Sequence, residues 1–340
     1  MEWFEALALL LGTIVFLMAI GMPGALAFLA ANILGAWVFM GGERGGAQLL
    51  NYGLGSLTKY ALMPIPLVWA SCVKWRLLLT YREIHVGLGP LMRFYTVGYF
   101  FNNFLPSSLG GDAARSYLVG KRIGSQTESL AAVVLERLTG LVTLVALAFI
   151  GYLATPAIHD DVLVTGSLMI LGAGCLVLVA LIWAPQSLVA PLETALIKVP
   201  LLGKLVAKLA QMRAAMQSFW SAPRVVGLSV LYSFGYHALT VVNVYVAARV
   251  LGIDVSFIGL CAVTPIILVI AALPTTPGSI GVWEWAYSVL LLPLGAELEQ
   301  GLAIALVLRG QLLFTSLVGG VLYLAERRVP GPTDLGKADG

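Results

Sequence analysis

The 340-residue chain is 59% hydrophobic and only 11% charged, with a mean hydropathy of +0.93. A soluble domain carries about 25% charged residues; with less than half of that the chain cannot cover a water-facing surface, so composition excludes a soluble globular protein and requires lipid as solvent. The net charge of +3 is small, and the basic residues cluster in loops, so their placement says more than their sum.

A membrane span needs about 20 apolar residues. Residues 4–21 and 25–41 give the first two candidates, divided by Pro23-Gly24. The start Met1-Glu2-Trp3-Phe4-Glu5 is acidic, whereas a signal peptide begins with positive charge, so the first span is expected to be retained. The loop 41–46 follows, then a third span at about 54–73 containing Pro64 and Pro66, then a basic stretch with Lys74, Arg76, Arg82 and Arg93. Residues 94–111 are apolar and aromatic but carry Asn102, Asn103, Pro106, Ser107, Ser108, Gly110 and Gly111; a continuous helix is not expected through them. Residues 112–124 read as a short polar-faced helix with Arg115, Lys121 and Arg122. Spans follow at about 128–154 and 162–183, separated by the acidic turn His159-Asp160-Asp161. In the polar insertion 185–222, Lys204, Lys208 and Gln211 lie on one helical face and Leu202, Leu205, Leu209, Met212 and Met216 on another, the pattern of a helix in the membrane interface. A span at 225–248 precedes the apolar stretches 256–273 and 282–294, which flank Pro274-Thr275-Thr276-Pro277-Gly278-Ser279-Ile280-Gly281. A last span at 301–325 leads to a polar tail, 326–340.

Positive charge favours the cytoplasmic side. The basic groups at 74–93, 115–122, 198–224 and 327–328 are therefore placed inside and the acidic 155–161 turn outside. Both flanks of 94–111 are basic, so this segment is expected to dip into the membrane and return. By the same count 256–294 begins and ends outside; a second hairpin entering from that side, or two full spans, fits the charges. Broken elements entering from opposite sides are the mark of an inverted repeat. The breaks resemble each other: Pro106 to Gly110-Gly111 followed by Asp112, and Pro277-Gly278 to Gly281 followed by Glu284.

Charges within apolar runs are costly and usually face a bundle interior or a cavity. Glu136 and Arg137 lie in AAVVLERLTGLVTL, Arg309 in IALVLRGQLLF, and Glu284 follows the second break. Two readings stand side by side: Arg137 and Arg309 grip an anionic group such as a lipid phosphate, which a guanidinium can bind with two hydrogen bonds, or they pair internally, Arg137 with Glu284 or Asp112. Arg115 reads as an i, i+3 surface partner of Asp112. His237 is expected to be a buried, hydrogen-bonded histidine. The interfacial Trp3, Trp37, Trp75, Trp220 and Trp283 serve as anchors. Cys72, Cys175 and Cys261 lie in separate apolar segments and suggest no disulfide framework. The scattered histidines suggest no metal site. There is no HExxH, no acidic cluster and no Ser–His arrangement to carry catalysis, and no nucleotide-binding motif.

FFNNFLPSSLGGDAARSYLVGKRIG, VVLERLTGL, TTPGSIGVWEWAYSVLL and LVLRGQLLFTSLVGGVLYL, in that order, resemble the flippase-like membrane region of lysylphosphatidylglycerol synthases and their stand-alone relatives, over about residues 70–325. The resemblance implies a multi-span protein with broken helices that handles anionic or polyprenyl-type lipids. It places Asn102, Asn103, Pro106, Gly110, Gly111, Asp112, Arg115, Glu136, Arg137, Pro277, Gly278, Gly281, Glu284 and Arg309 at characteristic positions. Trp283 and Trp285 depart from the family pattern. In the two-domain synthases aminoacyl transfer belongs to a soluble domain, for which this chain leaves no room. Residues 1–70 resemble instead the start of the large permease subunit of TRAP-type solute transporters, as in a fusion joined near 69–75.

The expectation is an all-α, polytopic protein of the cytoplasmic membrane with about eight or nine spans, two of them broken or re-entrant: a lipid translocase, or a lipid-binding partner of one, with no cofactor, no metal, no nucleic-acid partner and no aminoacyl-transferase activity. Alternatives are a membrane-embedded enzyme on lipid-linked substrates, a permease-derived solute transporter, and a regulatory subunit serving a membrane partner protein.

Overall fold

Prolines and glycines divide the apolar sequence into helices, and the computed structural model shows where. It describes residues 64–104, 110–124, 126–197, 222–273 and 275–327, with scattered positions in 1–63 and 198–221. Apart from those scattered positions, the spans expected at 4–21 and 25–41 lie outside the described residues, as do the loop 41–46, Lys204, Lys208 and Gln211 of the expected interface helix, Pro106, and the tail beyond 327.

Within the continuous described stretches ten α-helices follow in order: α1 (Pro64–Tyr81), α2 (Leu88–Phe104), α3 (Gly110–Ile123), α4 (Gln126–Leu153), α5 (Val162–Trp183), α6 (Gln186–Ile197), α7 (Pro223–Val250), α8 (Phe257–Ala272), α9 (Val282–Leu290) and α10 (Leu298–Arg327). The described residues contain helices and turns and no strand. The described part of α1 begins at Pro64 and runs on to Tyr81, so Lys74 and Arg76 belong to it rather than to a following loop; Lys74 is buried. Asp161 caps α5 by accepting from the Val164 N–H at 2.8 Å, and Ser256 caps α8 in the same way at 3.3 Å.

Four described helices are long and apolar enough to cross a bilayer, over Glu128–Leu153, Val162–Trp183, Pro223–Val250 and Leu298–Ala325. α8, with 16 residues, and α9, with nine, reach only about 24 Å and 14 Å at 1.5 Å per residue, short of the roughly 30 Å hydrocarbon core. Between them Gly278, Ser279 and Gly281 adopt positive φ angles of 61°, 56° and 83°, so the chain turns where two glycines make the left-handed region accessible. α2 is described to Phe104 and α3 from Gly110, and the two pack on each other with Gly98 beside Gly111; the residues between them, with Pro106, lie outside the described residues.

α4 is the hub and packs against α1, α3, α5, α7 and α8, while α10 lies along α2 and α9. Glycines allow these close approaches. A Cβ at Gly151 of α4 would meet the α8 backbone at Ala262 N (2.4 Å), and one at Gly319 of α10 would meet the α2 carbonyl of Thr96 (2.1 Å). α5 stands at the edge with Val162, Ile170 and Leu176 largely exposed, an outward apolar face suited to lipid.

Helices α3–α4 and α9–α10 repeat each other without a gap. Asp112 of α3 and Glu284 of α9 stand 172 residues apart, as do Arg137 of α4 and Arg309 of α10. The neighbours follow the same exchange: α4 packs on α8 as α10 packs on α2, α1 on α2 as α7 on α8, and α3 on α4 as α9 on α10. Local contacts match as well. Ser129 donates to the Ser116 carbonyl across α3–α4, and at the equivalent place across α9–α10 Gly301 is pressed against Ser288. The whole unit α1–α4 thus recurs as α7–α10.

Candidate functional site

The two breaks carry one motif. Asp112 lies in the first described turn of α3 and Glu284 in the first turn of α9, where a carboxylate suits the partial positive charge of a helix N-terminus. Each pairs with an arginine 25 residues later on the next helix: Asp112 with Arg137, Glu284 with Arg309. Of the two internal pairings open to Arg137, the structure shows the one with Asp112.

The first site is the larger network. Arg137 grips Asp112 with Nε (2.7 Å) and Nη2 (2.8 Å). Arg115 donates to Asp112 through Nε at 3.0 Å and to Glu136 through Nη1 at 2.8 Å, and it lies 4.6 Å from the Tyr95 ring centre and 4.9 Å from that of Trp75, within cation–π range. Its side chain is 2% exposed. The Asp112–Arg115 pair is therefore not the surface pair expected from its i, i+3 spacing; the polar face of α3 turns inward onto α4. Lys74 Nζ donates to the Glu136 carbonyl at 2.6 Å. Three cations thus meet two carboxylates, leaving one positive charge in excess.

This charge borders a cavity of about 290 Å³ lined by Tyr95, Tyr99 and Asn102 of α2, Gly111, Asp112 and Arg115 of α3, Arg137, Tyr236 and, at the end of α8, Ala272. Its size is near the lower end for small-ligand pockets, about 300 Å³. Arg137 is the open member of the network: 56% of its side chain is accessible. Nε and one Nη2 hydrogen are engaged by Asp112, and Arg137 is among the residues that line the cavity.

Asn102 holds the first break together by accepting the Gly111 N–H on Oδ1 at 2.7 Å. Gly111 itself cannot carry a side chain, since an added Cβ would lie 2.1 Å from the Gly98 carbonyl oxygen. Gly111→Ala is expected to cost about 1–3 kcal/mol through overpacking. Gly140→Ala, whose Cβ would find nothing nearer than 3.8 Å, should stay within about 0.5 kcal/mol of the native protein. Thermal unfolding in detergent compares the two. Gly110 is the first described residue of α3; the side chain of Asn103 is outside the described residues.

At the second site Arg309 is closed in. Its side chain is 5% exposed. Nε and Nη2 bind Glu284, and Nη1 and Nη2 donate to the carbonyls of Gly278 (3.0 Å) and Ser279 (3.2 Å). Glu284 also accepts the Gly281 N–H at 2.8 Å, so one ion pair fastens the whole turn that Pro277 opens. Trp283, the departure from the family pattern, donates from Nε1 to the Ala305 carbonyl at 3.3 Å and lies against Tyr287; Trp285 is exposed.

Sequence reasoning missed the tyrosines of the cavity wall, which sit unmarked in apolar runs, and buried Lys74. His237 is buried as expected and shares a hydrogen bond of 3.0 Å with the Gly140 carbonyl.

Fold and site together define a multi-pass membrane protein with a charged cavity at a helix break. The family model of the lysylphosphatidylglycerol synthase TM region matches residues 24–320, and the chain belongs to that family. The match takes in most of the segment compared with TRAP permeases, and that comparison gains no support. No curated protein and no solved structure matches the chain.

Proposed function

We propose that this protein is a lipid translocase of the cytoplasmic membrane that moves anionic or polyprenyl-phosphate lipids and carries out no aminoacyl transfer. The observation that carries the reading is the accessible Arg137 guanidinium at the positively charged cavity of the first break. A charged side chain within a membrane helix costs a few kcal/mol, and fixed N–H donors beside an excess positive charge are what a phosphodiester requires. Membership of a lipid-associated family points the same way. In this reading α2–α3 is a re-entrant hairpin open to the cytoplasm and α8–α9 its counterpart from the outer side. Lipid headgroups enter the cavity while their acyl chains stay among the helices.

The test is lipid transfer in vesicles holding the purified protein and a labelled anionic phospholipid in one leaflet. Native protein is expected to equilibrate the label, and Arg137→Ala to reduce the rate at least about tenfold, the loss of roughly 1.4 kcal/mol or more expected of a charge-assisted contact. Arg137→Lys keeps the charge but not the paired donors and should fall between them. Equal rates for native protein and Arg137→Ala, both folded, would overturn the assignment of the site; no transfer by native protein would overturn the translocase reading.

A further inference from the structure

We propose that the outer face of α3 is the track along which an anionic phospholipid reaches the cavity, with Lys121 and Arg122 holding its phosphate at the mouth. The route rests on the translocase reading; the lipid-binding face rests on the helix itself. α3 turns its polar side inward, with Asp112, Arg115 and Ser116 all buried. Its other side is bare. Ala113, Tyr117 and Lys121, at i, i+4 and i+8, are exposed, and Tyr117 is 59% accessible. Lys121 and Arg122 stand in the last turn of the helix, both exposed and without an acidic partner among the described residues. The nearby acid at the start of α4, Glu128, pairs with Arg82 at 3.4 Å.

The two ends of α3 sit at different depths. Asp112, which holds Arg137, and Lys121 are nine residues apart on one helix, about 14 Å at 1.5 Å per residue. With the basic end at the level of the headgroups, the cavity lies near the middle of a hydrocarbon core roughly 30 Å thick. A phosphate drawn from the leaflet surface therefore has about half the core to cross before it meets Arg137. The exposed face supplies the steps. Lys121 and Arg122 attract an anionic headgroup at the surface. Tyr117, one turn deeper, offers a hydroxyl donor. Ala113, a further turn on, has too small a side chain to block the way beside Gly111 and Asp112, which line the cavity. The acyl chains stay in the bilayer throughout, because Ala113, Tyr117 and Lys121 are open along one side. Cations in a last turn also complement the helix dipole, but that role alone needs no bare face leading from them to a cavity.

Photocrosslinking from the full chain, in vesicles of equal parts phosphatidylglycerol and phosphatidylcholine, tests this. Tyr117→p-benzoylphenylalanine should capture phosphatidylglycerol over phosphatidylcholine by at least about fivefold. The same probe in place of Ile170, exposed on α5, should capture the two lipids equally. Adding Lys121→Gln/Arg122→Gln should bring the ratio at 117 down to that at 170, and Lys121→Arg should keep it. Equal ratios at the two positions without those changes, a ratio at 117 that survives the loss of both charges, or capture of protein in place of lipid at 117 would each overturn the lipid-binding face. The route has its own readout. Transfer of phosphatidylglycerol held at low mole fraction should fall about fivefold in Lys121→Gln/Arg122→Gln, and unchanged transfer would overturn the track even where lipid is captured. No transfer by native protein would overturn the translocase reading and leave the crosslinking result standing, so the two fail separately.

Discussion

Replacing Glu136 by leucine is expected to cost the fold about 3–5 kcal/mol, the usual result of removing one partner from a buried ion pair. Arg115 would keep its bonds to Asp112 but lose the 2.8 Å bond from Nη1, with its side chain 2% exposed and closed in by Trp75 and Tyr95. The repeat supplies the repair. At the positions equivalent to Arg115 and Glu136 the second half has Tyr287 and Leu308, both buried. The double variant Arg115→Tyr/Glu136→Leu should therefore return to within about 1 kcal/mol of the native protein, because replacing a buried pair by apolar groups of similar volume is often neutral. It also leaves the charge of the site as it was: Lys74 and Arg137 against Asp112 still make one positive charge in excess. Thermal unfolding in detergent measures the stabilities, and anionic-lipid binding the second point. A double variant no more stable than Glu136→Leu would show that the halves differ in packing and not only in charge.

Much of this architecture is legible in the sequence, and the parts that are not have physical reasons. The second break is visible because Pro277-Gly278 cannot continue a helix at low cost, whereas Gly110-Gly111, read as part of the first, lie within α3; the described helices lie within a few residues of where their apolar runs place them. The pairing of charges is harder. Arg137 lies 25 residues from Asp112 and far along the chain from Glu284, and periodicity within one helix does not say which neighbour it faces. The repeat that resolves this is in the sequence, but the prolines hide it. Pro106 and Pro277 are 171 residues apart and the acids and arginines 172, so an alignment on the prolines sets Arg137 against Leu308. Lys74 misleads for another reason. A lysine after an apolar run reads as a cytoplasmic flank, but α1 continues to Tyr81 and carries Lys74 into the core, where it meets the Glu136 carbonyl. Tyr95, Tyr99 and Tyr236 give no signal until three helices bring them around one cavity.

The two arginines of the repeat are expected to separate stability from activity. Arg309→Ala leaves Glu284 buried with the Gly281 N–H as its remaining bond and releases the carbonyls of Gly278 and Ser279; a loss of about 3–5 kcal/mol follows. Arg137→Ala removes a side chain that is half accessible, and Asp112 keeps Arg115 as its partner, at 2.9 Å and 3.0 Å. That loss should be no more than about 1 kcal/mol, as for exposed ion pairs, even though lipid transfer falls. The double variant Arg309→Met/Glu284→Gln, which removes both charges together, should recover much of the stability lost in Arg309→Ala while remaining impaired in transfer. Unfolding curves for the four proteins in one detergent, set beside their transfer rates in vesicles, make the comparison. Equal destabilisation by Arg137→Ala and Arg309→Ala would mean that the fold depends on the first arginine as much as on the second, and the cavity would then have no free guanidinium to offer a phosphate.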